Sequence, residues 1–126
     1  MREVDLYPPV KQFLSQQGYE VKGEVRDCDV IAVRGDEPIV VVELKLTFNL
    51  TVVLQAVDRL QISEVVYIGV PQGLAVLKRH RKKVIKLARM LGLGLLEIDP
   101  EAKFGSVDVL CDPGGYKPRK VNQRAI

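Results

Sequence analysis

The stretch YEVKGEVRDCDVIAVRGDEPIVVVELKL (19–46) decides the fold. RGDEP (34–38) is turn chemistry, and the segment after it, IVVVELKL (39–46), is β-branched enough to read as a strand. CDVIAV (28–33) reads as the strand before the turn and YEVKGEV (19–25) as the one before that, with Arg26 and Asp27 as a two-residue loop. A turn symmetric about Asp36 pairs residues whose numbers sum to 72: Val33 with Ile39, Ile31 with Val41, Asp29 with Glu43. The earlier hairpin pairs residues summing to 53, which sets Glu24 opposite Asp29. Side chains alternate faces with period 2, so Lys45 shares the face of Glu43. Three carboxylates and one lysine are thereby expected on one patch.

Such a patch is costly. Residues directly opposite one another hold their Cβ atoms roughly 4.5–5.5 Å apart, and like charges so placed repel. A divalent cation between Asp29 and Glu43 would remove the conflict, and hard oxygen donors favour Mg²⁺ or Mn²⁺. Lys45 could then orient or deprotonate an attacking water, or stabilise charge on a phosphate. An isolated Glu-x-Lys in a strand is often only a solvent-facing accident. Here Glu43 and Lys45 interrupt a run that otherwise reads as buried on both faces, and Asp29 opens the apolar run VIAV. Without metal, opposed carboxylates predict that Glu43→Gln leaves the protein as stable or more stable, by about 1 kcal/mol.

Outward from this stretch the elements alternate. Leu6, Val10, Phe13 and Leu14 share one helical face, Pro8 and Pro9 suit a first turn, and Gly18 a C-terminal stop. Leu50, Val53, Leu54, Val57 and Leu60 return to helical spacing. EVVYIGV (64–70) reads as a strand closed by Pro71, Leu77 to Leu91 as a long helix ending at Gly92, and GLLEI (94–98) as a core strand, with VDVLC (107–111) as one more. The order is helix, three strands, helix, strand, helix, strand: an α/β fold with a mixed sheet. Residues 1–112 form the domain, and 113–126 a basic tail rich in breakers.

Composition sets limits. At 126 residues, 47% hydrophobic and 28% charged, the chain is expected to be one ordinary globular domain. No apolar run reaches the roughly 18 residues of a membrane span, and MREVDLYPP does not resemble a signal peptide. Cys28 and Cys111 form no C-x-x-C pair, which argues against zinc and disulfides and for a reducing cytoplasm. The net charge of +3 is unevenly spread: residues 1–60 carry −3 and residues 61–126 carry +6. On the predicted long helix, Lys78, Arg79, Lys82, Lys83, Lys86 and Arg89 share a stripe of about 140°, opposite Leu77, Val84, Ala88 and Leu91. That stripe suits a phosphate backbone, although Lys-rich outer faces are also common without a ligand. His80, the only histidine, lies at the margin of the apolar stripe. With no Trp and 6% aromatics, recognition is expected of backbone rather than of bases.

An Asp, a hairpin and Glu-x-Lys, preceded by one helix and followed by another, resemble the PD-(D/E)XK nuclease superfamily. The stretch DLYPPVKQFLSQQGYEVKGEVRDCDVIAVRGDEPIVVVELKL (5–46) is similar to an uncharacterised bacterial family grouped with the PD-(D/E)XK phosphodiesterases. The resemblance covers about residues 3–70 and extends loosely beyond. It implies a restriction-endonuclease-like αβββαβ core with helices flanking a mixed sheet, and a Mg²⁺- or Mn²⁺-dependent phosphodiesterase acting on nucleic acid, DNA before RNA. It further implies Asp29, Glu43 and the Leu44 carbonyl as metal ligands, Lys45 serving the attacking water, and Gln55 as a supporting residue of the following helix. Glu3 and Asp5 fall where many members place an extra acid, although acids there equally suit a helix dipole. Glu24 is a further candidate acid. One departure is Cys28, where the name-giving proline would stand. Members often cut two strands as dimers, so a homodimer is compatible. The alternatives are a non-catalytic nucleic-acid-binding or assembly module that keeps the fold, and a small-molecule phosphodiesterase, which the basic helix disfavours.

Overall fold

A computed structural model of the chain describes residues 1–23, 30–102 and 106–114. Six strands form one mixed sheet whose spatial order is the chain order: β1 (Glu20–Lys22), β2 (Val30–Val33), β3 (Val40–Leu44), β4 (Val65–Pro71), β5 (Gly94–Asp99) and β6 (Ser106–Cys111). Three α-helices cover it: α1 (Tyr7–Gln16), after a 3-10 turn at Glu3–Leu6, α2 (Leu50–Arg59) and α3 (Ala75–Met90). The pairings β1–β2, β2–β3 and β5–β6 are antiparallel, while β3–β4 and β4–β5 are parallel. The parallel pairs are those joined through helices, as a crossover between parallel strands requires. The sheet therefore changes sense at β3. No helix among the described residues is long and apolar enough to cross a membrane.

Both hairpin registers follow the expected rule. Val30, Ile31 and Ala32 pair with Val42, Val41 and Val40, and Glu20, Val21 and Lys22 pair with Val33, Ala32 and Ile31. One core, on the α1 side, gathers Leu6, Val10 and Leu14 with Val30, Ala32, Val40, Val42 and Leu44. The other places Val41, Val66, Ile68 and Val70 beneath Val52, Val53 and Ala56 of α2 and Leu77, Val84 and Ala88 of α3. All five residues of β3 are buried, as a central strand covered on both faces must be.

Local chemistry accounts for the connections. Gly18 takes φ +88, and the amides of Gly18 and Tyr19 donate to the Ser15 and Leu14 carbonyls, closing α1 in the left-handed manner glycine favours. Arg34 then ties this end to the β2–β3 turn. Its guanidinium stacks 4.3 Å from the Tyr19 ring centre and donates to the Gln17 carbonyl (2.6 Å) and to Glu37 (2.8 Å). Asn49 caps α2 by accepting from the Val52 amide at 3.0 Å. Between β4 and β5, Gly94 faces Tyr67, and a Cβ there would lie 2.6 Å from the ring atom Cε1. The Tyr67 hydroxyl donates to Asp112 at 3.1 Å.

Element bounds differ from expectation by a few residues. α3 begins at Ala75 rather than Leu77 and ends at Met90, and β5 runs on to Asp99. His80 interrupts α3 with φ −129 and ψ 31, an irregularity that the apolar spacing of Leu77, Val84 and Ala88 does not betray. His80 is exposed rather than half-covered at a stripe margin. Residues 115–126, most of the basic tail, lie outside the described residues.

Candidate active site

Among the described residues Glu43 is the one acidic residue in the buried set, only 1% exposed in a strand otherwise made of Val and Leu. It pairs with Ile68 across the parallel β3–β4 ladder, on the strand at which the sheet changes sense. Burying an unpaired carboxylate costs several kcal/mol, so a partner is required. Arg59 supplies it: its Nε–H donates to Glu43 Oε1 at 2.7 Å, from a side chain 17% exposed. Arg59 closes α2, whose Val52, Val53 and Ala56 are packed against the sheet. A cation in a last helical turn also sits well against the helix dipole. Removing one partner of such a pair costs roughly 3–5 kcal/mol when both are buried, and toward the lower end where one is partly open.

Lys45 follows the end of β3, and its amide donates to the Gly69 carbonyl at 2.9 Å, continuing the ladder toward β4. Its ammonium lies 3.7 Å from Glu3 Oε1. The structure thus brings together two sequence candidates from opposite ends of the α1–β3 segment. Asp5 serves elsewhere, accepting from the Arg2 amide at 2.8 Å in a capping box at the 3-10 turn. Gln55 is half-buried on α2, one turn before Arg59. Leu44 is buried and in register with Gly69. Asp29 and Glu24 lie outside the described residues, as does Cys28. The register on which their expected placement rests is the observed one, with Val30 opposite Val42 as the last described pair.

Among the described residues no group of three or more His, Cys, Asp or Glu could hold a metal ion. The described carboxylates nearest the predicted centre, Glu43 and Glu3, each already face a cation. Arg59 is the member of this cluster that sequence reasoning missed. Its only signal is that Asp58 and Arg59 are the sole charges in an otherwise uncharged helix.

The six predicted cations of α3 are all exposed. None of Lys78, Arg79, Lys82, Lys83, Lys86 and Arg89 makes an ion pair among the described residues, whereas Arg81 donates to Glu97 of β5 at 2.9 Å. α3 packs on the same sheet face as α2, so the basic stripe and Arg59 belong to helices on one side of the molecule. Cys111 is a buried free thiol whose pKa burial pushes up. A shallow groove between residues 37–39 and 60–64 lies at the other end of β3 and holds no candidate residue. Comparisons with protein-family models, with curated proteins and with solved structures each return no match, so the functional reading rests on the geometry of the site.

Proposed function

We propose that the chain is a metal-dependent phosphodiesterase acting on nucleic acid, DNA before RNA, built on a restriction-endonuclease-like αβββαβ core. The observation that carries this reading is Glu43, a carboxylate 1% exposed in the central strand and followed two residues later by Lys45. A strand that needs only apolar residues for packing has no structural use for a buried acid, and rules broken in a core commonly mark function. The order of elements supports the core: a helix, an antiparallel three-strand meander, a helix, then a strand parallel to the third.

On this reading Glu43, Asp29 and the Leu44 carbonyl would hold Mg²⁺ or Mn²⁺, a hard-oxygen set suited to those ions. When bound, the ion supplies Lewis-acid polarisation and lowers the pKa of water. Lys45 serves the attacking water or the phosphate, with Glu3 holding its ammonium in place. Gln55 supports the site from α2, and Glu24 is a candidate acid beside it. The stripe from Lys78 to Arg89 holds the phosphate backbone.

A second reading is favoured by one observation. Arg59 already neutralises Glu43, as a binding module that had abandoned catalysis would need. Plasmid, single-stranded and branched DNA, and RNA, incubated with Mg²⁺ and Mn²⁺ separate the two. The phosphodiesterase reading expects cleavage of at least one substrate by the wild type and none by Asp29→Asn. Folded wild-type protein that binds these nucleic acids and cuts none would give the binding module.

A further inference from the structure

The buried carboxylate of Glu43 needs one positive charge, and two candidates compete for it. One is the guanidinium of Arg59, 2.7 Å away. The other is the divalent ion of the phosphodiesterase reading, on which this inference rests. Both cannot use Glu43 Oε1 at once, since a ligating oxygen and a guanidinium acceptor offer the same lone pairs and the two cations repel.

We infer that Arg59 is an exchangeable counter-cation: it holds Glu43 in the metal-free protein and must leave before a divalent ion can bind. The two partners differ in freedom. Glu43 is fixed in the middle of the sheet and only 1% exposed, while Arg59 stands in the last turn of α2 with a side chain 17% exposed, which gives it a route outward. Its stem is long and flexible, so the guanidinium can move while α2 stays anchored through Val52, Val53 and Ala56. The exchange lets the apo protein keep a buried acid without the repulsion that would otherwise strain it, and sets metal affinity below what the carboxylates alone would give. Arg59 is thus a positioning residue that acts through Glu43.

Wild type, Arg59→Met and Arg59→Lys are titrated with Mn²⁺ by calorimetry and melted in chelator and in millimolar Mn²⁺. In Arg59→Met the ion meets no competitor. Its apo form melts below wild type, while its Mn²⁺ affinity rises by roughly 5–150-fold, the usual range of coupling between two ligands. Arg59→Lys falls between. Should Arg59→Met not fold, the wild type still decides the matter, because Mg²⁺ moves the Arg59 Nε–H resonance from its hydrogen-bonded position to that of a solvated guanidinium. Equal Mn²⁺ affinity in all three proteins, or an Arg59 resonance unmoved at saturating Mg²⁺, overturns the exchange and leaves the metal site standing. No Mn²⁺ binding by any of the three overturns both the exchange and the metal reading.

Discussion

At the scale of single residues, the Glu43–Arg59 pair changes the sign of an expectation. Carboxylates facing one another predict that Glu43→Gln is neutral or stabilising without metal. With Arg59 on the carboxylate, the same substitution strands a guanidinium only 17% exposed, and the apo protein should lose about 2–3 kcal/mol. Denaturant unfolding in chelator measures this directly, and an unchanged midpoint would mean that the pair contributes nothing. Tyr67 gives a residue-scale prediction of another kind. Burial, and then the neighbouring Asp112 charge, push its pKa well above the ordinary value of 10.0. The folded state therefore keeps the proton where the unfolded chain releases it. This contribution is fully present below pH 10 and is lost as pH rises through the folded pKa. Melting temperatures should fall progressively above about pH 10, and Tyr67→Phe should flatten that slope.

At the scale of elements, the features legible in the sequence are those that depend on near neighbours in the chain. The β2–β3 register follows from a short turn and period-2 alternation, and so Val30↔Val42 is predictable without knowing what packs on the sheet. The buried run of β3 and the outward cations of α3 are legible for the same reason. Arg59 is not, because its role depends on how the far end of α2 lies across β3, a matter of packing between elements. The Glu3–Lys45 approach and the break at His80 are hidden likewise: apolar spacing reports a helix face, not a local change of φ and ψ. The β4–β5 contact offers a test of such packing. A Cβ on Gly94 would lie 2.6 Å from Tyr67 Cε1 and 2.9 Å from Pro113 Cδ, so the ring must shift. Gly94→Ala should cost roughly 1–3 kcal/mol by overpacking. Gly94→Ala combined with Tyr67→Leu, which empties that space, should recover part of the stability; thermal melts of the single and double variants measure both effects.

At the scale of the whole molecule, charge and layering act together. The first half of the chain carries −3 and the second +6, and much of that positive charge stands on α3, on the sheet face shared with α2. Arg81 is engaged by Glu97, which pins α3 to β5, but the six stripe cations have no acidic partner among the described residues. If they grip phosphates, binding is dominated by counterion release and should be strongly salt-dependent and nearly indifferent to sequence. Few aromatics are available for stacking on bases, which points the same way. Lys82, Lys83 and Lys86 stand beyond the His80 break on the regular part of α3, so their replacement by Ala should leave the fold intact. The triple variant should bind duplexes of unrelated sequence more weakly, by a similar factor for each. The slope of log K against log salt should fall by about 0.9 for each phosphate no longer gripped. Fluorescence anisotropy across a salt series, with two unrelated duplexes, reads both quantities. A triple variant with the wild-type slope would make the stripe a merely solvated surface and place the phosphate-binding groups on another face.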